Sequence, residues 1–381
     1  MSVCMGGEIV RAGAACGESV AGASLPVRDG ARRTMRPVRP LLPRILAAVE
    51  VARLPIAFGV VANVWMMVLL ARVEAVEGMS EGMSEATVAS EASGSAQLIA
   101  SLPPWLALGA SFAFAVGFMA FGAALNDALD AKRDRAFAPE RPIPSGSIAA
   151  RRAFHIAFAA LIVGVLGALP FGTAALAGAL VLAAMVLGYD AFAKHIPAFG
   201  IVLAGLATAA SMLALAPDTP SILPVWLAMS QTMGVGALAY LLGEKRPKMS
   251  RRAVLLGAAG WVFWSAALFA LALERNGGLD GGALLPAFFE PRLLVLPVLA
   301  VVVCALFGLW KLRGVRGPRA AEKLLRYGSL WKAIVAAGWL AAAGLATEAA
   351  AIAGIAIAIT ALLSIARELA PQASAPASWR S

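Results

Sequence analysis

The sequence predicts an all-α, polytopic membrane protein, and three observations predict it. The 381 residues are 60% hydrophobic and only 14% charged, with a mean hydropathy of +0.80, far from the averages of soluble domains. Apolar runs of helix length recur along most of the chain. The segments between them alternate in charge, as the positive-inside rule requires of a chain that crosses a bilayer repeatedly.

Taken in order, residues 1–44 are rich in Gly, Ala and Arg. They lack the short apolar core and cleavage site of a signal peptide and are expected to form a disordered cytoplasmic tail. Met35, just before RPVRPLLPR, offers an alternative start. From 45 to 369 a membrane domain is expected, with apolar runs at about 46–72, 104–127, 152–170, 172–189, 198–217, 222–243, 253–273, 292–311, 329–346 and 349–367. These give nine to ten transmembrane helices, the number turning on whether Gly344 and Glu348 divide the last stretch. Residues 73–103 carry Glu74, Glu77, Glu81, Glu85 and Glu91 with no Lys or Arg, and a tandem EGMS. That composition predicts a flexible external loop. Residues 370–381 make a C-terminal tail.

Three segments concentrate the basic residues. Lys132, Arg133, Arg135, Arg141 and Arg151 lie in 128–151, Lys245, Arg246, Lys248, Arg251 and Arg252 in 244–252, and Arg313, Arg316, Arg319, Lys323, Arg326 and Lys332 in 312–332. All three segments fall on one side of the membrane if the N-terminus is cytoplasmic, and that side is then the cytoplasmic one. They account for the formal charge of +10, so the basic balance is no argument for a nucleic-acid partner. Cys4, Cys16 and Cys304 have no paired spacing for zinc or a disulfide framework.

One stretch calls for chemistry: Asn126 to Gly146, NDALDAKRDRAFAPERPIPSG. Three aspartates, Asp127, Asp130 and Asp134, follow a bilayer-length apolar run, where ionisable groups are costly and usually functional. If the helix from Pro104 continues through Asp134, the offsets put all three carboxylates on one face, within reach of a common cation. Such a cluster suits magnesium carrying a phosphorylated ligand.

NDALDAKRD fits the NDxxDxxxD signature, and ERPIPSGSI the RPxPSG segment that follows it, in the UbiA superfamily of intramembrane prenyltransferases. The resemblance runs from about Arg53 to the C-terminus. It implies helices bundled around a central cavity and transfer of a polyprenyl group from its diphosphate to an acceptor. Asp127, Asp130 and Asp134 would then hold Mg2+, Asn126 would add an amide ligand or hydrogen bond, and Lys132, Arg133 or Arg141 would contact phosphate oxygens.

In GYDAFAKHIPAFG, residues 188–200, the resemblance gives roles to Tyr189, Asp190 and Lys194. Lys194 would be a phosphate contact, and Tyr189 a hydrogen-bond donor or cation-stabilising ring. With Asp127 and Asp130, Tyr189 and Lys194 make the expected catalytic set. His195 reads as interfacial and His155 as structural. Asn63, with Arg53 and Pro55, occupies positions that face the cavity in the superfamily. A buried amide in lipid must find a partner, in another helix or in a ligand.

The second aspartate-rich motif of the superfamily is missing. Leu242 to Lys248 offer only Glu244 as an acid. Either Glu244 alone serves a second magnesium, with Lys245, Arg246 and Lys248 replacing metal charge, or that site is lost. Thr208 and Ser211 stand where a similar bacterial branch has Arg and Asn, which leaves the acceptor open. The expected partners are a polyprenyl diphosphate donor, an unidentified small-molecule acceptor and membrane lipid. The expected location is a bacterial inner membrane with the site on the cytoplasmic side. The alternative is a non-catalytic prenyl-lipid binding or transport protein that has lost turnover. A small-solute transporter finds no support, since inverted repeats and paired broken helices are not apparent.

Overall fold

The computed structural model describes residues 57–81, 94–137, 139, 141–243, 248–278 and 283–369. Among them the regular structure is entirely helical: α1 Phe58–Glu81, α2 Gly94–Ser101, α3 Pro104–Leu129, α4 Ala131–Phe137, α5 Ala150–Ala168, α6 Gly172–Ala191, α7 Pro197–Leu213, α8 Ile222–Leu242, α9 Arg251–Arg275, α10 Val295–Leu312, α11 Pro318–Ala342 and α12 Ala346–Leu369. The expected tails at 1–44 and 370–381 lie outside the described residues.

Six segments are long and apolar enough to cross a membrane: Phe58–Glu77, Pro104–Leu129, Ala150–Ala191, Ile222–Leu242, Arg251–Arg275 and Pro291–Leu312. Length and composition thus qualify six where the sequence suggests nine or ten, and the difference has physical sources. Ala150–Ala191 is a 42-residue run that turns at Leu169–Phe171, around Pro170, into α5 and α6. α7 is only 17 residues long, and α11 opens on a basic stretch, PRAAEKLLR. At the last junction Gly344 takes a φ of +79°, a left-handed conformation that costs any residue with a Cβ. The stretch is therefore divided there into α11 and α12.

Among the described residues, two large interior clusters hold the bundle. One joins α1, α3, α5 and α6 through Val61, Val64, Phe114, Phe118 and Leu182. The other joins α1, α7, α8 and α11 through Met66, Met67, Met212, Met229 and Leu340. α1 belongs to both. In a bilayer, helices associate by close packing of small residues rather than by escape from water. At the α3–α5 contact a Cβ on Gly117 would strike the backbone of Gly164, and one on Gly167 the backbone of Phe114. On α9 and α10, Leu255, Leu256, Phe263, Val298, Leu306 and Leu309 are exposed, as lipid-facing positions are.

The segment expected to be a flexible loop is in part regular. α1 runs on to Glu81, and Gly94–Ser101 forms α2. Arg72 ties the two, donating from Nη1 to the carbonyls of Ile99 and Leu102 at 2.9 Å each. The side chain of Ile99 is fully buried.

Candidate functional site

Asn126 and Asp127 lie on the last turn of α3, and Asp130 caps it in a near-helical conformation, φ −82°, ψ 0°. The uninterrupted helix expected through Asp134 is thus broken at Asp130, but the hydrogen-bond ladder runs on. Asp130 N–H donates to the Asn126 carbonyl at 2.9 Å, and Asp134 N–H to that of Asp130 at 2.8 Å. Asp127 and Asp134 are each 8% exposed, so their charges require partners.

The partners come from two segments that return to this helix end. In the first, Pro142 to Gly146 form a tight turn: Ser145 N–H donates to Arg141 O at 2.9 Å, Gly146 N–H to Ile143 O at 3.1 Å, and Ile148 N–H to Pro142 O at 2.9 Å. Gly146 adopts φ +77°, which explains a glycine after the serine. Ile143 is buried among Ala128, Ala131 and Ala153 and anchors the turn against α3, α4 and α5. The result sets Arg141 over two carboxylates: its Nη1 is 2.7 Å from Asp134 and 4.0 Å from Asp127.

The second segment is the turn Ala193–His195 after α6. Ala193 is fully buried, and Gly200 allows α7 to approach its carbonyl, so Lys194 is directed toward α3. Its Nζ lies 2.9 Å from Asp130 and donates to Asn126 Oδ1 at 3.0 Å. The Asn126 amide in turn donates to Asp127 at 3.4 Å. Asp127, Asp130 and Asp134 therefore share one mouth but not one cation, Arg141 taking two of them and Lys194 the third.

Asp190 joins this end. It is 3% exposed on the last turn of α6, and its Oδ2 would lie 3.9 Å from a Cβ on Gly122, one turn before Asn126. The sequence names Asp190 together with Tyr189 and Lys194, and the signal for its burial is that it is the one acid of an otherwise apolar α6. Tyr189 is half-buried beside it.

Other expected residues are not brought in. Lys132 and Arg133 are exposed. Asn63 lies deep in the bundle. The indole of Trp65, two residues on, donates to Leu108 O at 3.0 Å, whereas Asp127 is nineteen residues further along α3, about 28 Å at a helical rise of 1.5 Å per residue. His155 and His195 are exposed, and Glu244 lies outside the described residues.

Among the described residues no three His, Cys, Asp or Glu side chains converge at metal-binding distance. Yet the donor chemistry fits magnesium: Asp127, Asp130, Asp134 and the Asn126 carbonyl are hard oxygen donors, the kind that ion prefers. Asp127, Asp134, Arg141, Pro142, Ile143 and Pro144 line a recess too tight for water. The mouth so built is a cluster of acids, each already held by a base that can serve a phosphate.

The UbiA prenyltransferase family model matches residues 92–332, more than half of the chain. A solved structure from work on digeranylgeranylglyceryl phosphate synthase in membranes is similar at 16% identity and a TM-score of 0.48, covering 79% of this chain and 98% of that one. No curated protein matches the sequence.

Proposed function

The chain belongs to the UbiA prenyltransferase family, and we propose that it transfers a polyprenyl group from its diphosphate to an acceptor lodged between the helices. The observation that carries this reading is the convergence of Asn126, Asp127, Asp130, Asp134, Arg141 and Lys194 at one end of the bundle. The finer parts of the reading are proposals too. They are nine or ten crossings, a cytoplasmic mouth in a bacterial inner membrane, dependence on Mg2+, and Tyr189 as the group that faces the allylic carbon.

Asp127, Asp130 and Asp134 would hold the magnesium, with Asn126 as an added oxygen donor and Glu244 as the candidate for a second ion. Magnesium held there would supply positive charge that offsets the charge growing on the leaving group. The chain's own cations do the rest. Arg141 and Lys194 sit on the carboxylates a metal would take, so they are placed to pass from carboxylate to phosphate oxygens. Arg141 offers a fork that grips two oxygens and Lys194 a point charge. Both favour departure of pyrophosphate as the allylic C–O bond breaks, since fixed donors stabilise developing charge where water is scarce. The Tyr189 ring would stabilise the allylic cation through its π face. The bundle holds the tail in lipid and keeps water from intercepting the cation.

The test uses purified protein in vesicles with labelled geranylgeranyl diphosphate. Release of pyrophosphate is expected with magnesium and not with a chelator, and is expected to fall at least a hundredfold in Asp127→Asn and Asp130→Asn. Unchanged release in both variants would refute the reading. Donor binding without release under any condition would leave the non-catalytic binding protein as the better account.

A further inference from the structure

Away from the mouth, the bundle carries a groove that the proposed reaction leaves without a task. We propose that it holds one chain of an anionic phospholipid, drawn from the leaflet on the basic side of the membrane, as a fixed part of the fold. Such a site stands whether or not the chain transfers prenyl groups.

The groove, of about 280 Å³, lies where α8, α10 and α11 meet, and Leu227, Gly234, Leu238, Val301, Leu324 and Trp331 are among its walls. The Gln231 amide in its wall is spent on the Gly328 carbonyl at 3.3 Å. The groove exists because two consecutive helices part company. α9 packs on α7 and α8, fastened to α8 by the Trp226 indole donating to Ser265 at 2.9 Å and the Trp261 indole to Ser230 at 2.8 Å. α10 instead packs on α11, where a Cβ on Gly308 would strike the Trp331 ring. Among the described residues α9 and α10 scarcely touch. Between them a face of α8 is left uncovered, so Gly234 is exposed and Leu238 and Leu241 are 44% and 53% exposed. The inner side is shut. Gln231 and Val235 meet Gly328 and separate the groove from α1, which meets α11 at the next residue, Ser329. The groove therefore faces lipid and is not an arm of the interior.

Length and charge name the occupant. Leu227, Gln231, Gly234 and Leu238 recur at helical spacing on one face of α8, so the groove follows that helix for eleven residues, about 16 Å at a rise of 1.5 Å per residue. It begins one turn inside the end of α8 at Leu242. One leaflet of a hydrocarbon core about 30 Å thick is about 15 Å deep, so the groove takes a chain from the interface to the midplane. Apolar cavities stay dry, and in a bilayer hydrocarbon is what fills them. The rim adds charge. Leu242 and Leu312 pack together against Ala239, Ala321 and Leu324, which sets the end of α10 beside the end of α8, where α9 starts. Lys248, Arg251 and Arg252 on one side of the gap, and Arg313 and Arg316 on the other, are exposed. The acid among the described residues of this rim, Glu322, is paired with Arg326 at 2.7 Å. An anionic head group at the gap meets cations on both sides, whereas a zwitterionic one gains less.

Phosphatidylglycerol and phosphatidylcholine, each carrying a diazirine in an acyl chain, are added in turn as traces to phosphatidylcholine vesicles that hold the full chain. On irradiation, phosphatidylglycerol is expected to label the groove peptides of α8 and α10 at least fivefold more than phosphatidylcholine. In Gly234→Leu, where the added Cβ meets nothing within 4 Å, the side chain enters the groove. Groove labelling by both lipids is expected to disappear there, while labelling of the exposed face of α9 persists. Changing Arg251, Arg252, Arg313 and Arg316 together to Gln is expected to bring the ratio close to one, and changing them together to Lys to keep it. Equal labelling by the two lipids in the unaltered protein, groove labelling undiminished in Gly234→Leu, or an undiminished preference in the glutamine variant would overturn the proposal. So would displacement of the lipid by geranylgeranyl diphosphate, which would assign the groove to the donor.

Discussion

Lys194 donates to Asn126 Oδ1 at 3.0 Å across 68 residues of sequence. The same ammonium lies 2.9 Å from Asp130, so one side chain of the turn after α6 holds two residues of the motif that ends α3. This ammonium competes with any metal for the acid.

Removing it therefore has opposite effects on two ligands. Lys194→Met is expected to tighten binding of Mn2+, used as a paramagnetic stand-in for magnesium, by about tenfold, a change of about 1.4 kcal/mol. The same variant is expected to weaken geranylgeranyl diphosphate binding by at least tenfold. Electron paramagnetic resonance titration and retention of labelled donor measure the two, and weakening of both would contradict the competition.

Arg141 reaches Asp134 at 2.7 Å and Asp127 at 4.0 Å through the same Nη1, and its guanidinium offers a phosphate a planar fork rather than a point charge. Arg141→Lys is expected to lose at least tenfold in kcat/KM for pyrophosphate release, about 1.4 kcal/mol of transition-state stabilisation. Steady-state kinetics with magnesium in excess give the value. Activity equal to that of the unaltered protein would mean that charge alone suffices.

Gly146 has a φ of +77° and open space where a Cβ would go. Gly146→Ala is therefore a conformational change without a clash, expected to cost about 1–2 kcal/mol. The cost is expected to be met by local opening of the turn, which weakens donor binding and leaves the unfolding temperature of the bundle little changed, because the turn lies outside the two larger interior clusters.

The α3–α5 contact behaves in the reverse way. Gly117→Leu pushes a side chain into the backbone of Gly164 and is expected to cost at least about 1–3 kcal/mol. Thermal unfolding in detergent should show the loss. The fraction that remains folded is expected to bind Mn2+ unchanged, as the aspartates lie beyond this contact.

Much of this architecture is legible in the sequence. Apolar length marks where α1, α3, α8, α9 and α10 run, and the spacing of Asp127, Asp130 and Asp134 marks the mouth. What the sequence hides is contact across distance. Nothing in NDALDAKRD says that Arg141 rather than Lys132 or Arg133 returns to the acids. That depends on Ile143 finding a recess made by three alanines from α3, α4 and α5. The break at Asp130 is equally hidden, because a near-helical cap leaves the i, i+4 pattern intact. Composition also misleads for α2: Gly94–Ser101 reads as part of a glutamate-rich loop, yet Arg72 ties it to α1 and its Ile99 enters the interior. Asn63 is the plainest case, since one asparagine in an apolar run gives no hint of its depth relative to the aspartates.

The burial of Ile143 among Ala128, Ala131 and Ala153 bears on kinetics as well as on shape. The turn that carries Arg141 is keyed into the helices by this contact, so a donor arriving from the bilayer meets a receptor already arranged. The entropy of ordering the turn has been met during folding, not during capture. Capture should then proceed as a single step limited by lateral diffusion in the membrane, and substitutions that loosen Ile143 should add a slow phase before it.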